Sequence, residues 1–133
     1  MTCFWDGILQ NLKEEDFQIA FKCSKQNNIN FVKLLKESLN ESFHDKSKDI
    51  TWNGEKLTEQ QIKENFEHIK DYKPESIYGG YWCSTCDPFL ILVCILFRVN
   101  INHNYCGHLM KYTISNPRKT LNFKSNTGHF MAN

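Results

Sequence analysis

The apolar run Phe89-Leu90-Ile91-Leu92-Val93-Cys94-Ile95-Leu96-Phe97 constrains this chain more than any other feature. It falls far short of the ~20 residues that cross a bilayer. Asp87-Pro88 stands directly before it as an N-cap and first-turn pair, so the run is predicted to be a helix. That helix is apolar on every side and has no face to offer water. It must therefore be the central buried helix, covered by a sheet and by neighbouring helices.

A chain of 133 residues suits one domain over residues 1–133, burying roughly two-thirds of its unfolded surface. Ten Phe, five Tyr and three Trp supply bulk for one core. Upstream of the apolar run the pattern is helical. Ile8, Leu9 and Leu12 follow Cys3-Phe4-Trp5 at helical spacing, which places Cys3 at or near a helix N-terminus. A short helix or turn is predicted over residues 17–23. Asn28 is a plausible N-cap for a stripe of Phe31, Val32, Leu34, Leu35 and Leu39.

Residues 44–49 form the one long polar stretch and are predicted to be a loop. Ile50-Thr51-Trp52 with Asn53-Gly54 resembles an extended piece and a tight turn. Thr58-Glu59-Gln60-Gln61 has the form of a capping box, opening a helix with Ile62, Phe66 and Ile69 on its buried face. After Pro74 an aromatic, Gly-containing connector over residues 77–82 leads to the apolar run.

Strands are predicted over residues 99–102, 109–115, 120–124 and 129–132, with a turn at Asn116-Pro117-Arg118-Lys119. Helices before a C-terminal, largely antiparallel sheet make an α+β class. This order lets the first helix pack its start against the last strand, bringing Cys3 near His129.

Net charge is +1, with acids and bases interspersed, so the basic footprint of a nucleic-acid binder is missing. Arg98, Lys111, Arg118 and Lys119 are spread over strands and a turn and do not form a phosphate track. The N-terminus lacks the charged-then-apolar order of a signal peptide, and a cytoplasmic location with reduced thiols is expected for the six cysteines. No membrane association is expected. The abundance of Lys, Asn, Ile and Phe fits an AT-rich genome, including those of some large DNA viruses; for a viral protein the location would be host cytoplasm or virion.

Unpaired N–H groups and the helix dipole at a helix start favour the thiolate form of a cysteine, and Cys3 occupies such a position. A lone cysteine is also often a small buried hydrophobe. His129 follows Asn126-Thr127-Gly128 and so opens a strand after a tight turn, where an imidazole can face a neighbouring helix end. His44, His68, His103 and His108 lie in less constrained settings and read as surface or satisfied core residues.

Together these parts resemble the ovarian-tumour (OTU) family of cysteine proteases. The resemblance rests on Cys3-Phe4-Trp5 at a helix start, the helix carrying Phe31 to Leu39, and Ile77-Tyr78-Gly79-Gly80-Tyr81-Trp82 before a buried helix. The strand at residues 99–102 and a hairpin ending in Gly128-His129-Phe130 complete the order. It implies a papain-like fold and a thiol-dependent isopeptidase acting on conjugates of ubiquitin or a ubiquitin-like protein, with no cofactor. Cys3 would be the nucleophile and His129 its base, with backbone N–H groups at and before Cys3 holding the oxyanion.

Two positions depart from the family pattern. Only Met1 and Thr2 precede Cys3, where the family has an Asp-Gly loop, and Met131 stands where Asp or Asn usually orients the histidine. Asn133 shares the strand face of His129 by alternation but lies about 13 Å away along an extended strand. A catalytically inactive OTU-fold binding or virus-structural module is thus the alternative.

Two further readings compete. Trp82-Cys83-Ser84-Thr85-Cys86 resembles the redox motif of thioredoxin-like proteins, although the strand-first order that motif needs is missing upstream. Cys83 and Cys86 with two of His103, Cys106 and His108 have ligand types suited to zinc. The plainer reading is a pair of partly buried thiols flanking the core helix, with no metal. Tyr72, Tyr78, Tyr81 and Trp82 suit either a protein-binding surface or a lid over that helix.

Overall fold

A computed structural model describes residues 2–81, 86–126 and 128–133. The predicted central helix is α6, Pro88–Phe97, with Phe89 through Cys94 and Phe97 buried. Asp87 caps it, its Oδ1 accepting from the N–H groups of Phe89 (2.8 Å) and Leu90 (3.1 Å). The Asp87 N–H in turn donates to the Tyr112 hydroxyl at 2.9 Å, tying the helix start to the sheet.

Among the described residues, five α-helices precede α6: α1 Cys3–Asn11, α2 Glu14–Phe21, α3 Asn28–Glu37, α4 Ser42–Ser47 and α5 Glu59–Asp71. The capping box of α5 is present, Thr58 Oγ1 accepting from Gln61 N–H at 3.1 Å and Gln61 Oε1 from Thr58 N–H at 2.8 Å. Helix α3 is capped by Asn27, one residue before the predicted Asn28. The polar stretch predicted as a loop is largely α4, held to the core by Phe43 alone among its apolar residues. A 3-10 turn covers Pro74–Gly79.

Among the described residues, β1 Thr51–Trp52, β2 Glu55–Lys56, β3 Val99–Tyr105, β4 His108–Thr113, β5 Lys119–Ser125 and β6 Phe130–Ala132 form a sheet in the order β2-β1-β4-β3-β5-β6. All pairings are antiparallel except β3 with β5, which run parallel. The predicted α+β class therefore holds, with a mixed sheet. The β1–β2 hairpin lies in sequence among the helices yet joins the sheet edge, so helices and strands are not fully segregated.

The parallel pair arises because the turn after β4 passes beneath the start of β3. Arg118 N–H donates to the Arg98 carbonyl (2.7 Å) and Arg118 Nε to that of Phe97 (3.0 Å), closing the C-terminus of α6. Helix α6 is then enclosed as predicted, by β3 and β4 on one side and by α2, α4 and α5 on the others.

The same turn anchors α2. Asp16 is fully buried and accepts from Arg118 at 3.1 Å, Lys119 at 2.7 Å and the Lys13 backbone N–H at 2.8 Å. Burial alone would raise its pKa, but the bonds from Lys119, Lys13 and Arg118 outweigh that and hold it below 3.8. A depressed folded pKa means that this contribution is complete above the unfolded value and is lost as pH falls through the lower folded one. Asp16→Asn should cost about 2–4 kcal/mol at neutral pH, because it leaves two cations without their anion. Urea denaturation at pH 7 and pH 3 tests this: the variant's deficit should shrink at the lower pH, and an equal deficit at both would refute the ionic account.

Candidate active site

Cys3 is the first residue of α1, as predicted, and is a free, half-buried thiol. Among the described residues no side chain caps the early N–H groups of α1. The Thr2 hydroxyl, which an N-cap would normally aim at the first turn, instead donates to Asp6 Oδ2 at 2.5 Å. Asp6 Oδ1 accepts from Asn28 Nδ2 at 3.0 Å, so the first turns of α1 and α3 are fastened together.

Helix α1 lies along β6, and Gly7 permits the approach. A Cβ there would stand 2.7 Å from Phe130 Cδ1 and 3.2 Å from the Met131 Cα. Phe4 packs its ring 4.8 Å from that of Phe130 and 4.4 Å from that of Tyr81. Trp5 meets Phe89 of α6 at 4.8 Å and Tyr72 at 5.7 Å. Tyr72 and Tyr81 thus serve as part of a lid over the core helix, while Tyr78 is exposed and Trp82 lies outside the described residues.

His129 sits one residue before β6, in the turn, and not within the strand as predicted. Asn126 shapes this turn. Its Oδ1 accepts from Gly128 N–H at 2.9 Å and His129 N–H at 3.0 Å, and its own N–H donates to the His129 carbonyl at 2.9 Å. The backbone of His129 is held on both sides while its side chain is exposed. The structure brings the two carrying elements together, but among the described residues no hydrogen bond joins the Cys3 thiol to the His129 ring. Met131 pairs in register with Lys124 and supplies no carboxylate or amide to orient the histidine. Asn133 is fixed through its backbone N–H, which donates to the Asn122 carbonyl at 2.9 Å.

His103, one of the histidines that read as surface or satisfied core residues, is a satisfied core residue. It is fully buried on β3, its Nε2 2.6 Å from Ser125 Oγ and its ring 5.2 Å from Phe130. Burial lowers its pKa to about 4, so the imidazole is neutral at physiological pH. The signal was its register: Val99, Ile101 and His103 share the inward face. Ser125, itself half-buried, directly precedes Asn126, so its bond to buried His103 supports the base of the His129 turn.

The competing motif falls partly outside the described residues, because Cys83 is among those not described. Burial, reinforced by Asp87, pushes the Cys86 thiol up to about 12, which keeps it protonated. His103 is engaged by Ser125, whereas Cys106 and His108 are exposed around the β3–β4 turn. Among the described residues no three His, Cys, Asp or Glu side chains gather as a metal site would require. No helix among them is long and apolar enough to cross a membrane.

The chain matches no protein-family model, no curated protein and no solved structure. What can be said of the site rests on its own geometry.

That geometry depends on the absent side chain at position 7. Ala is the better helix former by ~1 kcal/mol, yet Gly7→Ala should lower stability by about 1–3 kcal/mol, because a buried ring and a backbone atom must both move. Chemical denaturation measures this, and an alanine variant more stable than the parent would show that α1 and β6 are not in tight contact.

Proposed function

We propose that the chain is a thiol-dependent isopeptidase of OTU-like, papain-related design, acting on conjugates of ubiquitin or a ubiquitin-like protein. The observation that carries this reading is the uncapped start of α1, with Cys3 as its first residue, on a helix packed against the strand that follows His129. In the proposed reaction His129 takes the thiol proton and Cys3 Sγ attacks the isopeptide carbonyl carbon. The first-turn N–H groups of α1 hold the oxyanion. Collapse of the tetrahedral species expels the lysine amine, which takes its proton from His129. Water, deprotonated by the same imidazole, then releases the acyl group and restores the thiol.

Met131, at the position where the family usually has an orienting Asp or Asn, favours a second reading: an OTU-like module that binds such conjugates without cleaving them. The two separate on one experiment. A ubiquitin probe with a C-terminal thiol-reactive warhead should label the parent protein covalently. Cys3→Ala should abolish labelling, and His129→Ala should slow it by ~10²-fold or more, the usual contribution of a general base. Failure of folded parent protein to label would sink the ubiquitin isopeptidase reading and leave binding without cleavage as the better account.

The turn generates its own prediction. Asn126→Ala removes the acceptor of two backbone N–H groups at an exposed position, so it should leave the melting temperature within a few degrees of the parent. Labelling should nonetheless slow about tenfold, since loss of positioning alone carries rate penalties of this order. Labelling at the parental rate would show that the turn holds His129 without Asn126.

A further inference from the structure

Helices α4 and α5 diverge around an open groove with an estimated volume of about 460 Å³, within the range of ligand sites. Phe43 and Ile62 make its floor, 3% and 2% exposed, and half-buried Phe66 lines it beside them. The rings of Phe43 and Phe66 stand 6.0 Å apart, tilted at 56°. The mouth carries the opposite character. Glu41 stands at its α4 side, and Glu59 and Glu67 at its α5 side, against Lys63 in the lining and Lys48, which lies close enough to act on Glu59.

His44 takes up one oxygen of this acidic mouth: its Nε2 lies 2.5 Å from Glu59 Oε2, while among the described residues no bond reaches Glu59 Oε1, and its Nδ1 lies 3.6 Å from Asp45 Oδ1. The hydrogen bond from His44 holds Glu59 below the usual carboxylate range, so Glu59 is ionised at neutral pH. Glu59 and Glu67 are eight residues apart on one helix, which separates them by about 12 Å, with Ile62 and Phe66 between them. Beyond Glu67 the negative surface continues through Glu64 and Asp71.

We propose that this groove docks a basic amphipathic helix of a partner protein, one that lays aliphatic side chains on Phe43, Ile62 and Phe66 and sets lysine or arginine against Glu59 and Glu67. An occupant with one charge satisfies only one of two carboxylates set two helical turns apart, whereas a helix of two or more turns reaches both while filling the apolar floor between them. Anionic and purely apolar occupants leave the acidic mouth uncompensated. The site is separate from Cys3 and His129, so neither reading depends on the other.

The test uses a fluorescein-labelled helical peptide with leucines at i, i+3, i+4 and i+7 flanked by lysines, and a second peptide with glutamates in place of the lysines. Fluorescence anisotropy against the full chain should show binding of the first only. Amide shifts in NMR spectra should centre on Phe43, Ile62 and Phe66. The doubly reversed variant Glu59→Lys with Glu67→Lys, both at the surface, should stay folded, its melting temperature lowered by a few degrees because Glu59 loses its bond to His44, and should bind at least tenfold more weakly. The proposal is overturned if the lysine peptide does not bind, if both peptides bind alike, if the shifts map elsewhere, or if the folded double variant binds as the parent does.

Discussion

A helix with no polar face can exist in water only if it is enclosed, and α6 imposes that requirement on everything around it. Strands β3 and β4 cover one side, while α2, α4 and α5 cover the rest. Its two ends then determine the neighbouring connections. At the N-terminus Asp87 caps the helix and also reaches the Tyr112 hydroxyl through its backbone N–H. At the C-terminus Arg98 takes a left-handed conformation with φ of 52°, and the turn bearing Arg118 closes over the exposed carbonyls of Phe97 and Arg98. Because that turn passes beneath β3, β5 emerges parallel to it. The chain order that later sets His129 opposite α1 thus follows from how the end of α6 is satisfied.

The second close contact is that of α1 with β6. Helices and sheets ordinarily stand about 10 Å apart to accommodate side chains on both surfaces, and Gly7 removes one of those side chains where Phe130 lies. Phe4 and Trp5 extend the contact in another direction, through Tyr81 and Tyr72 to Phe89. One aromatic cluster thereby fastens the helix start bearing Cys3 both to the core helix and to the strand after His129. Cys3 needs no ligand of its own to be placed, since its neighbours in sequence are among the most buried residues of the protein.

Much of this was legible from residue types alone. The run at 89–97 announced its burial, Thr58 to Gln61 announced the start of α5, and Asn53-Gly54 announced a hairpin. The helix α4 did not show because Phe43 is its one buried apolar side chain, and a single anchor produces no periodicity. Strand β3 was cut short at Asn102 because a histidine in the inward register reads as polar, whereas His103 is accommodated by Ser125 from the neighbouring strand. Strand order is a different matter: the parallel pairing of β3 with β5 depends on a turn closing a helix end, and no local pattern encodes it. The candidate pair, Cys3 and His129, was legible only as order along the chain, since α1 meets β6 through residues such as Gly7 whose role appears only in three dimensions.

What the turn does for His129 bears on how the proposed reaction would proceed. Asn126 fixes the backbone of the histidine, but a fixed backbone leaves two side-chain torsions free. An orienting Asp or Asn restricts those torsions by bonding the ring, and in serine protease triads loss of such a group costs ~10⁴-fold. The His129 side chain is exposed and Met131, two residues on, has no group to bond it, so in the proposed reaction nothing on that strand would fix the ring in advance. A conjugate lying across the start of α1 would cover the same surface, exclude water from it and limit the ring to the positions that remain. The ordering supplied in advance by a third catalytic group would then come from substrate contact, which makes the proposed activity depend on the extent of the substrate as well as on the scissile bond.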